Sequence, residues 1–157
     1  MKVILFFLLT FLTLSNGLYS QGDELQSSTG VKSDSYKKVP QELKIKTSKF
    51  FNFLLDSNVT AAYDELMKNS FLVAQSDKVN TLMNQTHRAF EIYGLIKGYE
   101  PVSAEEVSKS FLRLRYIGLH TKFPMRWIFT FYKSPTAGWV ITNIKFDDLT
   151  EYYFTDD

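Results

Sequence analysis

The chain has 157 residues, 45% hydrophobic, 16% aromatic and 22% charged, which suits a single folded domain rather than a disordered protein. Lys2 is the only charged residue among the first 20, so the remaining chain has equal numbers of basic and acidic residues, and this balance argues against nucleic acid as a partner. The sequence contains no cysteine, which excludes disulfides, thiolate metal sites and thiol nucleophiles.

Residues 1–20 have the layout of a secretory signal peptide. Lys2 precedes an apolar run at 3–14, and small and polar residues follow it. We expect cleavage between Gly17 and Gln21 and a secreted or periplasmic product. The alternative is an uncleaved membrane anchor, for which the run is short, because a spanning helix needs about 20 apolar residues.

Residues 21–40 are rich in Ser, Asp, Lys and Gly and have almost no apolar periodicity. This composition predicts a flexible linker between the cleavage site and the domain. The sequence pattern changes at residue 41, so the domain is predicted to span residues 41–157.

Three helices are predicted at the start of the domain from apolar residues that recur at helical spacing. The first covers 41–55, the second covers 59–68, and the third covers 77–93 and ends at Gly94. Asn58 and Ser76 are suited to cap the second and third helices. The predicted buried face of the first helix comprises Leu43, Thr47, Phe50, Phe51, Leu54 and Leu55.

Four strands follow, because the apolar period changes from helical to alternating after Gly94. The first is predicted at 95–103, near a sheet edge because Pro101 cannot donate a ladder hydrogen bond. A turn at 104–107 leads to the second strand at 108–120. The third and fourth strands, 126–133 and 139–147, form a hairpin around Pro135 and Gly138.

Alternation assigns the strand residues to two faces of the sheet. The face predicted to lie against the helices carries Leu112, Leu114, Tyr116, Trp127, Phe129, Phe131, Val140, Thr142, Ile144 and Phe146. The opposite face mixes arginine with aromatic and aliphatic side chains, a composition enriched at protein interfaces. The predicted interface residues are Arg113, Arg115, Tyr132, Trp139 and Ile141. The alternative is that the tail at 149–154 covers this face.

Three segments resemble the NTF2-like superfamily. They are the aromatic and leucine-rich stretch 48–63, the segment 90–94, and the hairpin with Trp127 and Trp139. The resemblance spans about 41–148 and is greatest to small secreted bacterial members of uncharacterised function. It implies an α+β fold of the NTF2-like or cystatin-like type, a cone in which three N-terminal helices pack on a curved four-stranded antiparallel sheet.

The resemblance also implies a pocket at the wide end of the cone. Enzymes of the superfamily place an Asp or a His–Asp pair there, whereas many other members are binding or dimerisation modules, so the fold does not decide the function. The predicted pocket wall comprises Tyr63, Tyr93, Tyr116, Trp127 and Phe129.

Two functions are therefore predicted. The first is a secreted, non-catalytic binding module that forms a homodimer or contacts a protein partner through the outer sheet face and holds a small apolar ligand. The second is an isomerase-like or dehydratase-like enzyme with Asp64 or His87 as the base and a tyrosine, Tyr63 or Tyr116, as the proton donor. The inward strand positions carry no carboxylate or histidine, which favours the first. The sequence has no metal-ligand spacing and no phosphate-binding loop, so no metal or cofactor is predicted.

Overall fold

The computed structural model describes residues 34–154. The predicted signal peptide, 1–20, and residues 21–33 of the predicted linker lie outside this range. The elements are α1 (Gln41–Leu55), α2 (Val59–Met67), a 3-10 helix (Phe71–Ala74), α3 (Ser76–Tyr93), β1 (Ile96–Ser108), β2 (Phe111–His120), β3 (Met125–Ser134), β4 (Gly138–Asp147) and a second 3-10 helix (Thr150–Tyr153).

The four strands form one curved antiparallel sheet in the order β1-β2-β3-β4. The three helices precede the sheet in the chain, so the predicted α+β arrangement is confirmed. We call the sheet face that packs against α1 and α2 the inner face and the opposite one the outer face. Among the described residues, no helix combines the length and the apolar character needed to cross a membrane.

Helix α1 supplies much of the core through one face. Its buried residues are spaced by four, three, one and three positions, which places them on one side of a helix; they are Leu43, Thr47, Phe50, Phe51 and Leu54. The Thr47 hydroxyl donates a hydrogen bond to the Leu43 carbonyl at 2.9 Å, so its oxygen is satisfied inside the core. Each buried phenylalanine contributes about 1.5–3 kcal/mol by leaving water. Leu55, predicted on this face, is 37% exposed.

The start of α2 is confirmed as predicted and that of α3 is corrected. Asn58 Oδ1 accepts a hydrogen bond from the Ala61 N–H at 3.1 Å, which satisfies a free donor at the first turn of α2. Ser76 is the first residue of α3 rather than its cap, and Gln75 before it makes no capping bond. Between the two helices, Ser70 donates to the Ile141 carbonyl at 2.6 Å and ties the first 3-10 helix to β4.

The predicted linker ends earlier than residue 40, because residues 34–40 pack on the domain. Residues 34–37 form a helical turn. The Tyr36 and Tyr116 hydroxyls lie 2.6 Å apart, and Ser35 accepts a hydrogen bond from the Ala104 N–H at 2.9 Å. Val39 is 5% exposed and belongs to the core. The domain boundary predicted at residue 41 is therefore placed too late.

The predicted turn at 104–107 is wrong, because β1 continues through it to Ser108. The extended part of β1 is polar and outwardly exposed, with Val107 80% accessible, so the sequence pattern of a strand is weak there. Cross-strand pairing maintains it: Glu105 lies opposite Arg113, and their side chains form an ion pair at 3.4 Å. The connection to β2 is a tight turn at residues 109–110. Pro101 lies in an edge strand, as predicted.

Gly94 and His120 join the end of α3 to the sheet. Gly94 has φ +84°, and a Cβ at this position would lie 1.8 Å from Thr121 Oγ1, so a larger residue is excluded by both strain and space. The Gly94 carbonyl is 2.8 Å from His120 Nδ1. Burial lowers the pKa of His120, although this hydrogen bond acts in the opposite direction. Its Nε2 is buried and has no hydrogen-bond partner.

His120 is expected to make the fold sensitive to mild acid. Because its folded pKa lies below its ordinary value of 6.5, the unfolded chain takes up a proton first as the pH falls, and stability is lost from that value downward. Urea unfolding at pH 7.5 and pH 5.5 should show a decrease in stability that H120Q reduces.

The variant H87Q is the matched control, since His87 is the other histidine of the chain and is exposed. An equal pH dependence in the wild-type protein, H87Q and H120Q would contradict this account.

Candidate functional site

The interior space predicted for a ligand is occupied by Phe50 and Phe51. The Phe50 ring lies 5.4 Å from Tyr63, 5.5 Å from Trp127 and 5.4 Å from Phe129, measured between ring centroids. Phe51 contacts Trp127 and Phe129 as well, at 5.9 and 5.7 Å. Tyr63, Trp127 and Phe129 have no exposed surface. These residues form core, and their prediction as a pocket wall is wrong.

The two buried tyrosine hydroxyls serve the packing as well. Tyr63 Oη is 2.8 Å from Thr86 Oγ1, and Tyr116 Oη is 2.7 Å from Thr47 Oγ1 and 2.6 Å from Tyr36 Oη. Burial raises the pKa of both tyrosines well above the ordinary value. Both hydroxyls are bonded to protein groups in the core, so neither is placed to give a proton to a substrate.

The remaining predicted site residues lie at the surface and apart from one another. Asp64 is exposed at a shallow groove between α2 and α3, and His87 is exposed on the outer side of α3. Tyr93 donates a hydrogen bond to Asp148 Oδ2 at 2.7 Å, which raises the pKa of the tyrosine. The enzyme hypothesis needs a base held in an enclosed site, and neither Asp64 nor His87 has such surroundings.

A β-bulge changes which residues of β4 face outward. Thr130 pairs with Asn143, but the next residue, Phe131, pairs with Ile141, so Thr142 is left without a partner in the ladder. The alternation of β4 is therefore inverted before the bulge. Ile144 and Phe146 face inward as predicted, whereas Val140 lies opposite the outer-face residue Tyr132.

The predicted outer position of Trp139 and Ile141 is wrong for the same reason. Trp139 is 7% exposed and Ile141 is fully buried, and both belong to the core. They are not available to a partner, so the predicted interface loses these two residues and keeps Arg113, Arg115 and Tyr132. Val140 lies beside Tyr132 on the outer face but is itself only 6% exposed, so Phe111 and Tyr132 provide the accessible surface of their row.

Strand register arranges the outer face in rows that cross β2, β3 and β4. We name four rows by their members in that strand order. They are the apolar row (Phe111, Tyr132, Val140), the first polar row (Arg113, Thr130, Asn143), the second polar row (Arg115, Ile128, Lys145) and the end row (Ile117, Arg126, Asp147). A groove of about 290 Å³ lies over the polar rows and Arg126, bounded by Leu149 and Tyr152 of the tail.

The charges of this face are unevenly balanced. Glu105 of β1 contacts Arg115 at 2.5 Å and Arg113 at 3.4 Å. Arg126 donates two hydrogen bonds to Asp147, each 3.0 Å long, and is only 7% exposed. The end row therefore has its own counter-charge, while the two polar rows hold three cations, of which Arg113 and Arg115 contact Glu105.

Up to residue 154, where the described part of the chain ends, the tail covers only one end of the outer face. The Arg126 guanidinium lies 5.0 Å from the centre of the Tyr152 ring, a cation–π contact. The Tyr153 hydroxyl donates to the Tyr116 carbonyl, and burial raises its pKa. At the other end of the face, Phe111 and Tyr132 are 40% and 39% exposed. Self-coverage, predicted as the alternative to a partner contact, is thus present at the end row, whereas Phe111 and Tyr132 are exposed and the partner contact stays a prediction.

Comparison with known proteins gives no assignment: no family model, curated protein or solved structure matches the chain. The NTF2-like identity stays a prediction from the resemblance. Within residues 34–154, no group of three His, Cys, Asp or Glu side chains is placed to hold a metal ion.

Sequence reasoning missed the polar residues that complete the outer face. The sequence gives no site prediction for Asn143 or Lys145, because a single polar side chain on a strand has no distinctive signal. Because successive side chains of a strand point to opposite faces, the inward position of Ile144 does place its neighbours Asn143 and Lys145 on the outer face. The bulge at Thr142 has no such signal, since both alternating halves of β4 contain apolar residues.

Truncation of Trp139 is expected to destabilise the protein strongly, because this side chain is buried in the core. W139A should lower the free energy of unfolding by roughly 3–5 kcal/mol, the range for deleting a buried aromatic ring. Y132A, at an exposed position of the partner strand, should change it by about 0.5 kcal/mol. Urea denaturation of both variants measures the difference. Similar losses in the two variants would show that the assignment of faces is wrong.

Proposed function

We propose that this chain is a secreted, non-catalytic interaction module that binds a protein partner through the outer face of its sheet. The observation that carries the proposal is the open half of that face, where the apolar row borders the two polar rows. Aromatic and arginine side chains together are the composition enriched in the centres of protein interfaces.

The filled interior supports an outward-facing function. A small apolar ligand needs a cavity, and Phe50 and Phe51 occupy the space between the sheet and α2. Opening this space would separate aromatic pairs that contribute about 0.5–1.5 kcal/mol each beyond their buried area. We therefore do not retain the predicted apolar ligand in the proposal.

The order of three helices and four antiparallel strands supports the NTF2-like prediction, which we retain as part of the proposal. Secretion is supported by the apolar run at 3–14 and its flanks, which lie outside the described residues. The partner is either a second copy of the chain, as the predicted homodimer requires, or a different protein.

A photo-crosslinking amino acid at position 132 tests the binding surface. Produced in the native cells with this substitution, the chain is expected to give a discrete covalent adduct, since Tyr132 lies at the centre of the apolar row. The matched control is position 73, because Val73 is an exposed apolar residue that is not part of the outer face, 60% accessible on the first 3-10 helix.

The mass of the adduct identifies its composition, and twice the mass of the chain indicates a homodimer. An absence of adduct at position 132, or equal adducts at positions 132 and 73, would refute the proposal that this face is the binding surface.

Secretion has a separate test. The protein recovered outside the cytoplasm is expected to begin between residues 17 and 21, because the signal peptidase site follows the apolar run. N-terminal sequencing or intact mass measures this. A product that retains residues 1–16 and stays in the membrane fraction would instead identify the run as an anchor.

A further inference from the structure

The two polar rows of the outer face hold charge that the described part of the chain does not neutralise. Arg113 on β2 is exposed and shares Glu105 with Arg115, at the longer distance of 3.4 Å. Lys145 on β4 is exposed and makes no ion pair with a described residue. These two cations stand on either side of β3, where Thr130 and Ile128 form the floor of the groove.

We infer that the partner presents an extended acidic segment to this face, with one apolar side chain followed by carboxylates at the second and fourth positions after it. This inference rests on the proposed function and specifies its partner. The apolar side chain lies on the apolar row, the first carboxylate reaches Arg113, and the second reaches Lys145.

The spacing follows from strand geometry. Side chains on one face of a strand are two residues apart, or about 7 Å. Phe111, Arg113 and Arg115 of β2 follow this spacing from the apolar row to the second polar row. An extended segment that runs along the strands presents its own alternate side chains at the same interval, so three of them meet the three rows in turn.

The same charges disfavour a second copy as the partner. A two-fold homodimer places the same surface on both sides of its interface. When the two-fold axis passes through the polar rows, facing outer faces bring the exposed cations Arg113 and Lys145 of the two copies close together, and like charges brought together across an interface cost free energy. An acidic segment from a different protein relieves this charge instead.

The probe is a synthetic peptide with the central sequence Trp-Ser-Glu-Ser-Glu, titrated into the isotopically labelled secreted protein and followed by NMR. Amide signals of Arg113, Thr130 and Asn143 should shift as the peptide binds. One comparison peptide replaces both glutamates by glutamine, and another has the same composition in the order Trp-Glu-Glu-Ser-Ser. Since the glutamine peptide loses both charge pairs, it should bind about ten-fold more weakly. The reordered peptide should also bind more weakly.

Three variants of the protein test the same contacts from the other side. R113Q and K145Q should each weaken binding roughly two- to five-fold, and the loss should shrink at high salt because the contacts are exposed. E105Q should strengthen binding, since it removes the carboxylate that competes for Arg113. K78Q, at an exposed lysine of α3, is the control and should have no effect.

The inference is overturned if R113Q and K145Q bind the peptide like the wild-type protein, or if the glutamine or reordered peptide binds equally well. A single-stranded oligonucleotide that binds this face more tightly than the peptide does, and displaces it, would also overturn the inference and would identify nucleic acid as the ligand. In each of these cases a specific crosslink at position 132 would still uphold the proposed binding face. Thermal unfolding of each variant verifies that the fold is unchanged.

Discussion

The packing of Phe50 and Phe51 against the inner face of the sheet determines what the rest of this molecule can do. Neighbouring residues on a helix point about 100° apart, so two adjacent buried phenylalanines need a surface that curves around the helix. The sheet provides it: Phe51 stacks on Tyr99 of β1 at 4.4 Å, while Phe50 lies against Phe129 of β3. The interior is thereby filled with aromatic rings, and interactions with other molecules must use the outside.

The fit of Trp127 shows how little room this packing leaves. A Cβ added to Gly118 on β2 would lie 2.8 Å from the Trp127 indole nitrogen, so the glycine is required by the ring beside it. That nitrogen is buried without a hydrogen bond. An unsatisfied donor costs about 1–3 kcal/mol, and the structure tolerates it because the ring makes stacked contacts with Phe146 at 4.5 Å and Phe129 at 6.3 Å.

The helices were predictable from the sequence because their apolar residues recur with one period over 15 or more residues in α1 and α3. The strand hairpin was also predictable, with Gly138 at φ +68° in its turn. The residues of the outer face were less predictable. Residues 139–141 are all apolar, so the sequence does not show which of them face inward, and the shift at Thr142 arises from pairing with β3, which a local pattern does not contain. Trp139 and Ile141 were therefore assigned to the wrong face.

The two ends of the domain could not be predicted from the sequence for a different reason. Residues 34–40 contribute few apolar side chains, and Tyr36 is held by one hydroxyl contact and one edge contact with Tyr116, at 2.6 and 5.7 Å. The tail is held in a similar way by Tyr152 and Tyr153. Contacts between residues far apart in sequence determine both segments, so composition alone predicts a linker at one end and leaves the tail ambiguous.

Arg126 lies between the end row, which the tail covers, and the groove over the polar rows. A guanidinium that is only 7% exposed must be paired, since an unpaired buried charge is costly. Asp147, at the end of β4, provides that pairing and also accepts a hydrogen bond from the Leu149 N–H at 3.1 Å, which directs the chain into the second 3-10 helix. Tyr152 then covers Arg126. Asp147 and Tyr152 thus direct the tail over the end row, and the described part of the tail leaves Arg113 and Lys145 exposed where strand register places them.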